Sequence, residues 1–130
     1  MIIDSSVVVA MLEMESDARA IVAAMEKAED RRMSVVNFVE SAIVLDSRGN
    51  AALSRRLDDL IREGEVVLEA VTVEQARIAR EAYRDYGKGK HRAGLNLGDC
   101  FAYALAKDKR EPLLFKGNDF SKTDVEAAEY

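Results

Sequence analysis

Met1-Ile2-Ile3-Asp4-Ser5-Ser6 sets a short apolar run against an acid and two hydroxyl side chains. A run this short, ended by a polar residue, reads as a buried first strand over Met1–Asp4, with Ser5 or Ser6 capping a helix over Val7–Glu13. The same strand-then-helix order repeats outward from it. Ser16 or Asp17 opens a second helix, in which Ala18, Ile21, Val22 and Met25 recur at helical spacing. Met33–Val36, preceded by Arg31 and Arg32, is a second strand. Asn37 then stands at an N-cap with Glu40 three residues on, a capping box whose helix runs to about Arg48 and stops at Gly49-Asn50. Ala51–Arg62 places Leu53, Leu57, Leu60 and Ile61 on one helical face, ended by Gly64. Val66–Val71 is β-branched and forms a third strand, and Thr72 with Gln75 makes a second capping box for a helix through about Tyr86. Gly87–Gly94 is a glycine-rich basic loop, Asn96 caps a helix from Leu97 to about Asp108, and Pro112–Lys116 is a fourth strand before a tight turn at Gly117-Asn118-Asp119. Strands alternating with helices predict a three-layer α/β/α domain, with a mostly parallel sheet of about four to five strands covered on both faces.

The chain has 130 residues, which predicts a single domain over residues 1–130. Apolar residues make up 48% and charged residues 33%, a balance that buries a core and excludes disorder. The longest apolar run, Val7–Leu12, is far below the roughly 18 residues of a membrane span, so no membrane association is expected. The start carries no basic segment of an export signal, and the one cysteine, Cys100, allows no internal disulfide; both fit a cytoplasmic protein. The net charge of −5 excludes a general basic coat for nucleic acid. It leaves room for a protein that meets phosphates through a bound cation.

In an open α/β sheet ligands bind at the carboxyl ends of the strands, beside the helix N-termini. The reading above puts Asp4 at the end of the first strand and Glu40 in the first turn of the helix after the second. Asp99 falls in the first turn of the helix after Asn96, and Asp119 in the turn after the fourth strand. Carboxylates from four regions of the chain therefore converge on one rim. Two like charges about 4 Å apart repel by on the order of 4 kcal/mol at an effective dielectric of 20, so such a cluster takes up protons or binds a cation. Oxygen ligands without His or Cys select Mg²⁺ or Mn²⁺ over zinc. A carboxylate-held Mg²⁺ completes its shell with water and substrate phosphate, which makes phosphodiester hydrolysis the natural chemistry. Each acid also has a plainer reading: Glu40 as a capping-box glutamate, Asp99 as a charge favoured at a helix N-terminus, Asp119 as a turn residue. Asp4 has the weakest such alternative, because an acid after a buried strand costs burial energy unless something pairs with it.

These four positions and the residues around them resemble the PIN-domain ribonucleases, in particular the VapC-type toxins of bacterial toxin–antitoxin pairs. The matching pieces are Met1–Ser6, Ser34-Val-Val-Asn-Phe-Val-Glu40, Leu95-Asn-Leu-Gly-Asp-Cys-Phe-Ala-Tyr-Ala-Leu-Ala106 and Pro112-Leu-Leu-Phe-Lys-Gly-Asn-Asp-Phe-Ser-Lys-Thr-Asp124. The resemblance implies that Asp4, Glu40, Asp99 and Asp119 hold Mg²⁺ or Mn²⁺ and carry catalysis, with Ser5 in support. It implies cleavage of RNA (tRNA or ribosomal RNA), a homodimer, and neutralisation by a VapB-type antitoxin that inserts a segment into the acidic groove. Asn118 departs from the pattern, since many relatives have a second acid there; it stands instead as a supporting donor beside Asp119. Asp124 is placed to approach the site from outside the ligand set.

The basic loop adds Lys88, Lys90, His91 and Arg92 as RNA-contact candidates, or else a solvated charged loop. Arg31 and Arg32 belong to the opposite edge. Cys100 reads as a small buried helix residue, because no histidine is placed to activate it. The helix from Asn37 carries Phe38, Val39, Ala42, Ile43, Val44 and Leu45, a wider apolar stripe than one core face needs. That stripe is either deeply buried or a second interface. Two other α/β readings fail on position: a haloacid-dehalogenase-type phosphatase needs Asp-x-Asp where the chain has Asp4-Ser5-Ser6, and a receiver domain needs an acceptor Asp where the third strand ends in Glu69-Ala70-Val71. A catalytically inactive module of the same fold, binding RNA or protein, remains the alternative to an enzyme.

Overall fold

The computed structural model describes residues 1–130. Four strands form one fully parallel sheet: β1 (Ile2–Ile3), β2 (Arg31–Ser34), β3 (Val66–Glu69) and β4 (Leu113–Leu114), in the order β3-β2-β1-β4. Six helices connect them: α1 (Ser5–Leu12), α2 (Ala18–Lys27), α3 (Val35–Asp46), α4 (Ala51–Glu63), α5 (Val73–Tyr86) and α6 (Leu97–Lys109). A 3₁₀ turn over Phe120–Lys122 follows β4. The tail returns to pair Ala127 with Leu113, which covers part of the outer edge of β4.

Alternation along β1 and β4 divides the core. Ile2 and Leu113 face one side and pack with Ala82, Leu95, Tyr103, Leu105 and Phe120 under α5 and α6. Ile3 and Leu114 face the other and pack with Val7, Ile21, Met33 and Leu57 under α1, α2 and α4. Ile2 and Ile3 are both completely buried, each worth roughly 1.5–3 kcal/mol of apolar transfer. Helices on both faces of a parallel sheet explain why β1 and β4 are wholly apolar pairs, whereas β2 opens with the half-buried Arg31 and Arg32.

Several boundaries differ from the sequence reading, those of the helices for capping reasons. Asp4, not Ser5 or Ser6, is the N-cap of α1, its carboxylate accepting the Ser6 N–H at 2.9 Å. Ser34 caps α3 by accepting from the Val36 N–H, so that helix begins at Val35 and Asn37 lies buried inside it. Glu40 consequently sits in the second turn of α3 and forms no capping box. Arg31 and Arg32 are part of β2 rather than its prelude. Arg32, in the first half of β2, holds Glu69 and Glu111 at 2.8 and 3.0 Å. Thr72 caps α5 through the Gln75 N–H, but the Gln75 side chain donates to Asp108 instead of returning to Thr72. Asn96 and Asp99 do form the full capping box of α6. Deep burial of the α3 stripe does not hold: Val39 and Ile43 are 51% and 65% exposed on the outer side of that helix.

Candidate active site

After β3 the chain crosses back over β2 and β1 to lay β4 on the far side of β1. The crevice at the carboxyl ends of β1 and β4 is therefore the switch point of the sheet, where open α/β folds bind ligands. A cleft of about 450 Å³ opens there, with Asp4, Ser5, Glu40, Asp99 and Lys116 among its walls.

Asp4 leaves β1 into this cleft and is only 2% exposed. Its Oδ2 accepts from the Ser6 N–H at 2.9 Å and the Ser6 hydroxyl at 2.5 Å, while Oδ1 has only a long contact, 3.5 Å, from Asn37 Nδ2. Burial raises its pKa above the usual carboxylate value; the Ser6 bonds oppose the shift and the charge of Glu40 adds to it. Glu40 accepts the Ser5 hydroxyl and lies against Gly98, where an added Cβ would overlap its carboxylate. Asp99 accepts the Asn96 N–H through Oδ2 at 2.9 Å. Its carboxyl is pushed up to about 7, first by burial, then by the charges of Asp4, Glu40 and Asp119, with the Asn96 bond resisting. Asp119 is exposed in the turn after β4, outside the cleft walls, and reaches the others through its charge on Asp99.

The four acids thus share one electrostatic neighbourhood, three of them in a single cleft. They do not form a closed cage: no group of three or more His, Cys, Asp or Glu side chains stands in a metal-holding arrangement as folded. Ser5 donates its hydroxyl to Glu40. Asn118 is exposed and its side chain makes no hydrogen bond; only its carbonyl is used, accepting from Ser121. Asp124 does not approach the cleft, being held by the Tyr103 hydroxyl at 2.5 Å and Lys107 at 3.0 Å along α6. Lys88, Lys90 and Arg92 are exposed on the basic loop, and Lys122 bonds the Arg92 carbonyl, which ties the loop to the turn after Asp119. His91 turns inward, with Nδ1 accepting the Ala93 N–H at 3.0 Å and its ring edge-on to Tyr86. Cys100 is buried in α6 and its thiol is raised to about 11 by burial and by Asp99, which keeps it inert.

Four residues that the sequence reading did not assign to the site complete it. Ser6 and Asn37 orient Asp4, Gly98 makes room for Glu40, and Lys116 forms the cationic wall. Asn37 is wholly buried and also donates to the Gly98 carbonyl at 3.1 Å, so it ties α3 to α6 beneath the acids.

The PIN domain family model matches residues 1–126. The chain is 54% identical over 129 residues to Ribonuclease VapC28 of Mycobacterium tuberculosis, covering 98% of this chain and 97% of that one. It is 50% identical over 127 residues to Ribonuclease VapC of Mycolicibacterium smegmatis, covering 98% of each. Among solved structures, M. tuberculosis VapC20, described as a Sarcin-Ricin loop cleaving toxin, superposes with a TM-score of 0.79 at 16% identity, over 99% of this chain and 98% of that one. A toxin–antitoxin complex from Klebsiella pneumoniae gives a TM-score of 0.75 at 13% identity, over 99% and 97%. At those identities the structural matches establish the fold alone.

Proposed function

Because the chain belongs to the PIN-domain family, we propose that it is a ribonuclease toxin, hydrolysing RNA phosphodiesters at the cleft of Asp4, Glu40 and Asp99 with Asp119 at its side. The observation that carries this reading is Asp99: an acid raised to about 7 by burial and three neighbouring carboxylates, at the switch point of a parallel sheet. Relatives named ribonucleases at 54% and 50% identity support RNA as the substrate, with tRNA or ribosomal RNA the expected class. One domain, residues 1–130, carries the activity.

The donor set suits Mg²⁺, with Mn²⁺ as a substitute. The cleft offers carboxylate oxygens and no His or Cys ligand, and Asp4 Oδ1 has only the long Asn37 contact. Mg²⁺ is held by one or two carboxylates and leaves the rest of its shell to water and phosphate, so an open arrangement fits it. Asp4, Glu40, Asp99 and Asp119 would hold the ion, which when bound supplies positive charge to the phosphate during in-line displacement. The chain supplies the positioning. Ser6 and Asn37 fix Asp4, Ser5 and Gly98 fix Glu40, and Asn96 fixes Asp99. Lys88, Lys90 and Arg92 offer cations to phosphates flanking the cut.

A VapB-type antitoxin is the protein partner this surface suits. A groove of about 570 Å³ between α2 and α4 has an apolar floor that includes Met11, Met25 and Leu60, with Arg56 and Asp59 among its charged neighbours. Met11 and Val22 continue it to a second hollow that reaches Glu15, and Glu15 is also a wall of the acidic cleft. An amphipathic helix followed by a cationic tail would follow that path. The exposed Val35, Val39 and Ile43 on α3 suit a homodimer contact. No helix is long and apolar enough to cross a membrane, and the free Cys100 accords with a cytoplasmic site of action.

Total RNA incubated with the protein and Mg²⁺, Mn²⁺ or EDTA tests the reading. Shortening of the RNA only when the metal is present is the expected result. RNA retarded but left intact under all three conditions would make the protein a binding module.

A further inference from the structure

Lys116 is the only cation in the wall of the acidic cleft, which otherwise presents Asp4, Glu15, Glu40 and Asp99. Its backbone is fixed at the switch point, where the Lys116 N–H donates to Ser6 Oγ at 3.0 Å and the same hydroxyl donates to Asp4. The side chain, partly exposed, pairs with none of Asp4, Glu40 and Asp99 but with the α1–α2 turn, where the ammonium sits between Glu15 and Asp17, the latter at 2.9 Å. A strand-end lysine clamped by two acids is either a fastener for that turn or a cation held in reserve. Three features favour the second. The pairs are solvent-accessible and therefore weak and readily exchanged. Lysine is a compact point charge on a flexible four-carbon stem, able to re-aim without moving its backbone. A polyanion entering a cleft of carboxylates also needs a positive charge within reach of the crevice, and the basic loop lies on the Asp119 side.

We propose that Lys116 is a substrate-contacting residue: its ammonium leaves Glu15 and Asp17 to meet a non-bridging oxygen of the RNA phosphodiester, and those two acids compete with the substrate for it. This rests on the ribonuclease reading above. The competition makes opposite substitutions act in opposite directions, which a fastener does not do.

The test measures binding of a short labelled single-stranded RNA of mixed sequence, across a salt series with Mg²⁺ present, in an Asp99→Asn background that does not consume it. Thermal melting of every variant is followed in parallel, and cleavage of total RNA by the unsubstituted chain is the control. Lys116→Gln is expected to weaken binding about tenfold and to flatten the log–log salt slope by about 0.7, the value of one single-strand phosphate contact. Lys116→Arg is expected to retain most of the affinity. Glu15→Gln with Asp17→Asn is expected to tighten binding a few-fold, although it removes the same ion pairs and lowers the melting temperature as Lys116→Gln does. An unchanged salt slope in Lys116→Gln, or weaker binding in the double variant, would make Lys116 a fastener and overturn the proposal. If the unsubstituted chain leaves total RNA uncut, the ribonuclease reading fails and takes this inference with it; if it cuts while the slope is unchanged, the inference alone fails.

Discussion

The carboxylate of Glu40 lies against the backbone of Gly98, so closely that a Cβ there would overlap its Cδ and both oxygens. Helix α6 presents bare backbone at its second position, and α3 lays its acid into the space. Alanine is the better helix former by roughly 0.5–1 kcal/mol, and the atoms it displaces are the end of a flexible side chain. Gly98→Ala should therefore fold with a melting temperature equal to or above that of the parent. It should also push Glu40 off Ser5 and lower RNA cleavage by about 10–100-fold, the scale seen when a metal ligand loses its support. Melting and cleavage measured on one preparation separate the two effects; a variant that cuts normally would remove Glu40 placement from the mechanism.

Asp99 is raised to about 7 in the folded chain from an ordinary value of 3.8, so the fold binds a proton that the unfolded chain releases. The stability this contributes is complete below about pH 4 and is lost as the pH rises toward 7; raised Asp4 acts in the same sense. Discounted for the exposed part of the side chain, the loss for Asp99 is on the order of 1–2 kcal/mol. Urea melts of the metal-free protein between pH 4 and 8 should show stability falling across that window, and Asp99→Asn should flatten the fall while reducing cleavage. Added Mg²⁺ should restore stability at pH 7 and above, since anything that binds only the folded state stabilises it. Stability that rises with pH over this range would refute the clustering of charge.

The alternation of strands and helices is legible because the apolar residues of β1, β2 and β3 are followed within a few residues by the capping side chains Asp4, Ser34 and Thr72. Asp4 and Asp99 could be placed from the sequence because both sit where a strand end or an N-cap is marked by adjacent polar residues. Glu40 was placed on the right helix but in the wrong turn. Ser34 and Asn37 are both capable caps, and only burial of Asn37 between Asp4 and Gly98 decides between them. Lys116 and Gly98 carry no local signature. One matters for where its stem is anchored, the other for the side chain it lacks, and both depend on contacts between distant segments.

Lys88, Lys90 and Arg92 extend from the loop that Lys122 ties to the turn after Asp119. If they meet phosphate, replacing all three by alanine should weaken RNA binding and flatten its salt dependence by about 2 in log–log slope, near 0.7 for each contact on a single strand. Melting should hardly change, because all three are exposed. His91→Ala should do the reverse, loosening the loop by removing the Ala93 bond and the Tyr86 packing while leaving the salt slope intact. A slope unaffected by the triple replacement would return the loop to the status of a solvated surface.

Asp124 belongs to a strap and not to the cleft. It receives the Tyr103 hydroxyl and the Lys107 ammonium, and the chain beyond it returns to pair Ala127 with Leu113 along β4. Those hydrogen bonds hold its carboxyl below the ordinary range, with the Tyr103 bond dominant, so the strap's contribution is present at neutral pH and is lost as the pH falls through the lowered value. Tyr103→Phe removes a charge-assisted hydrogen bond worth about 1.5–3 kcal/mol at most, and less here because Asp124 is exposed and keeps Lys107. The variant should melt a few degrees lower at pH 7, and the difference from the parent should shrink in acid. Its cleavage of RNA per folded molecule should equal that of the parent. A loss of cleavage as large as that of Asp99→Asn would bring Asp124 back to the reacting centre, because a strap on the far turns of α6 can alter how much protein is folded but not how the cleft's carboxylates are arranged.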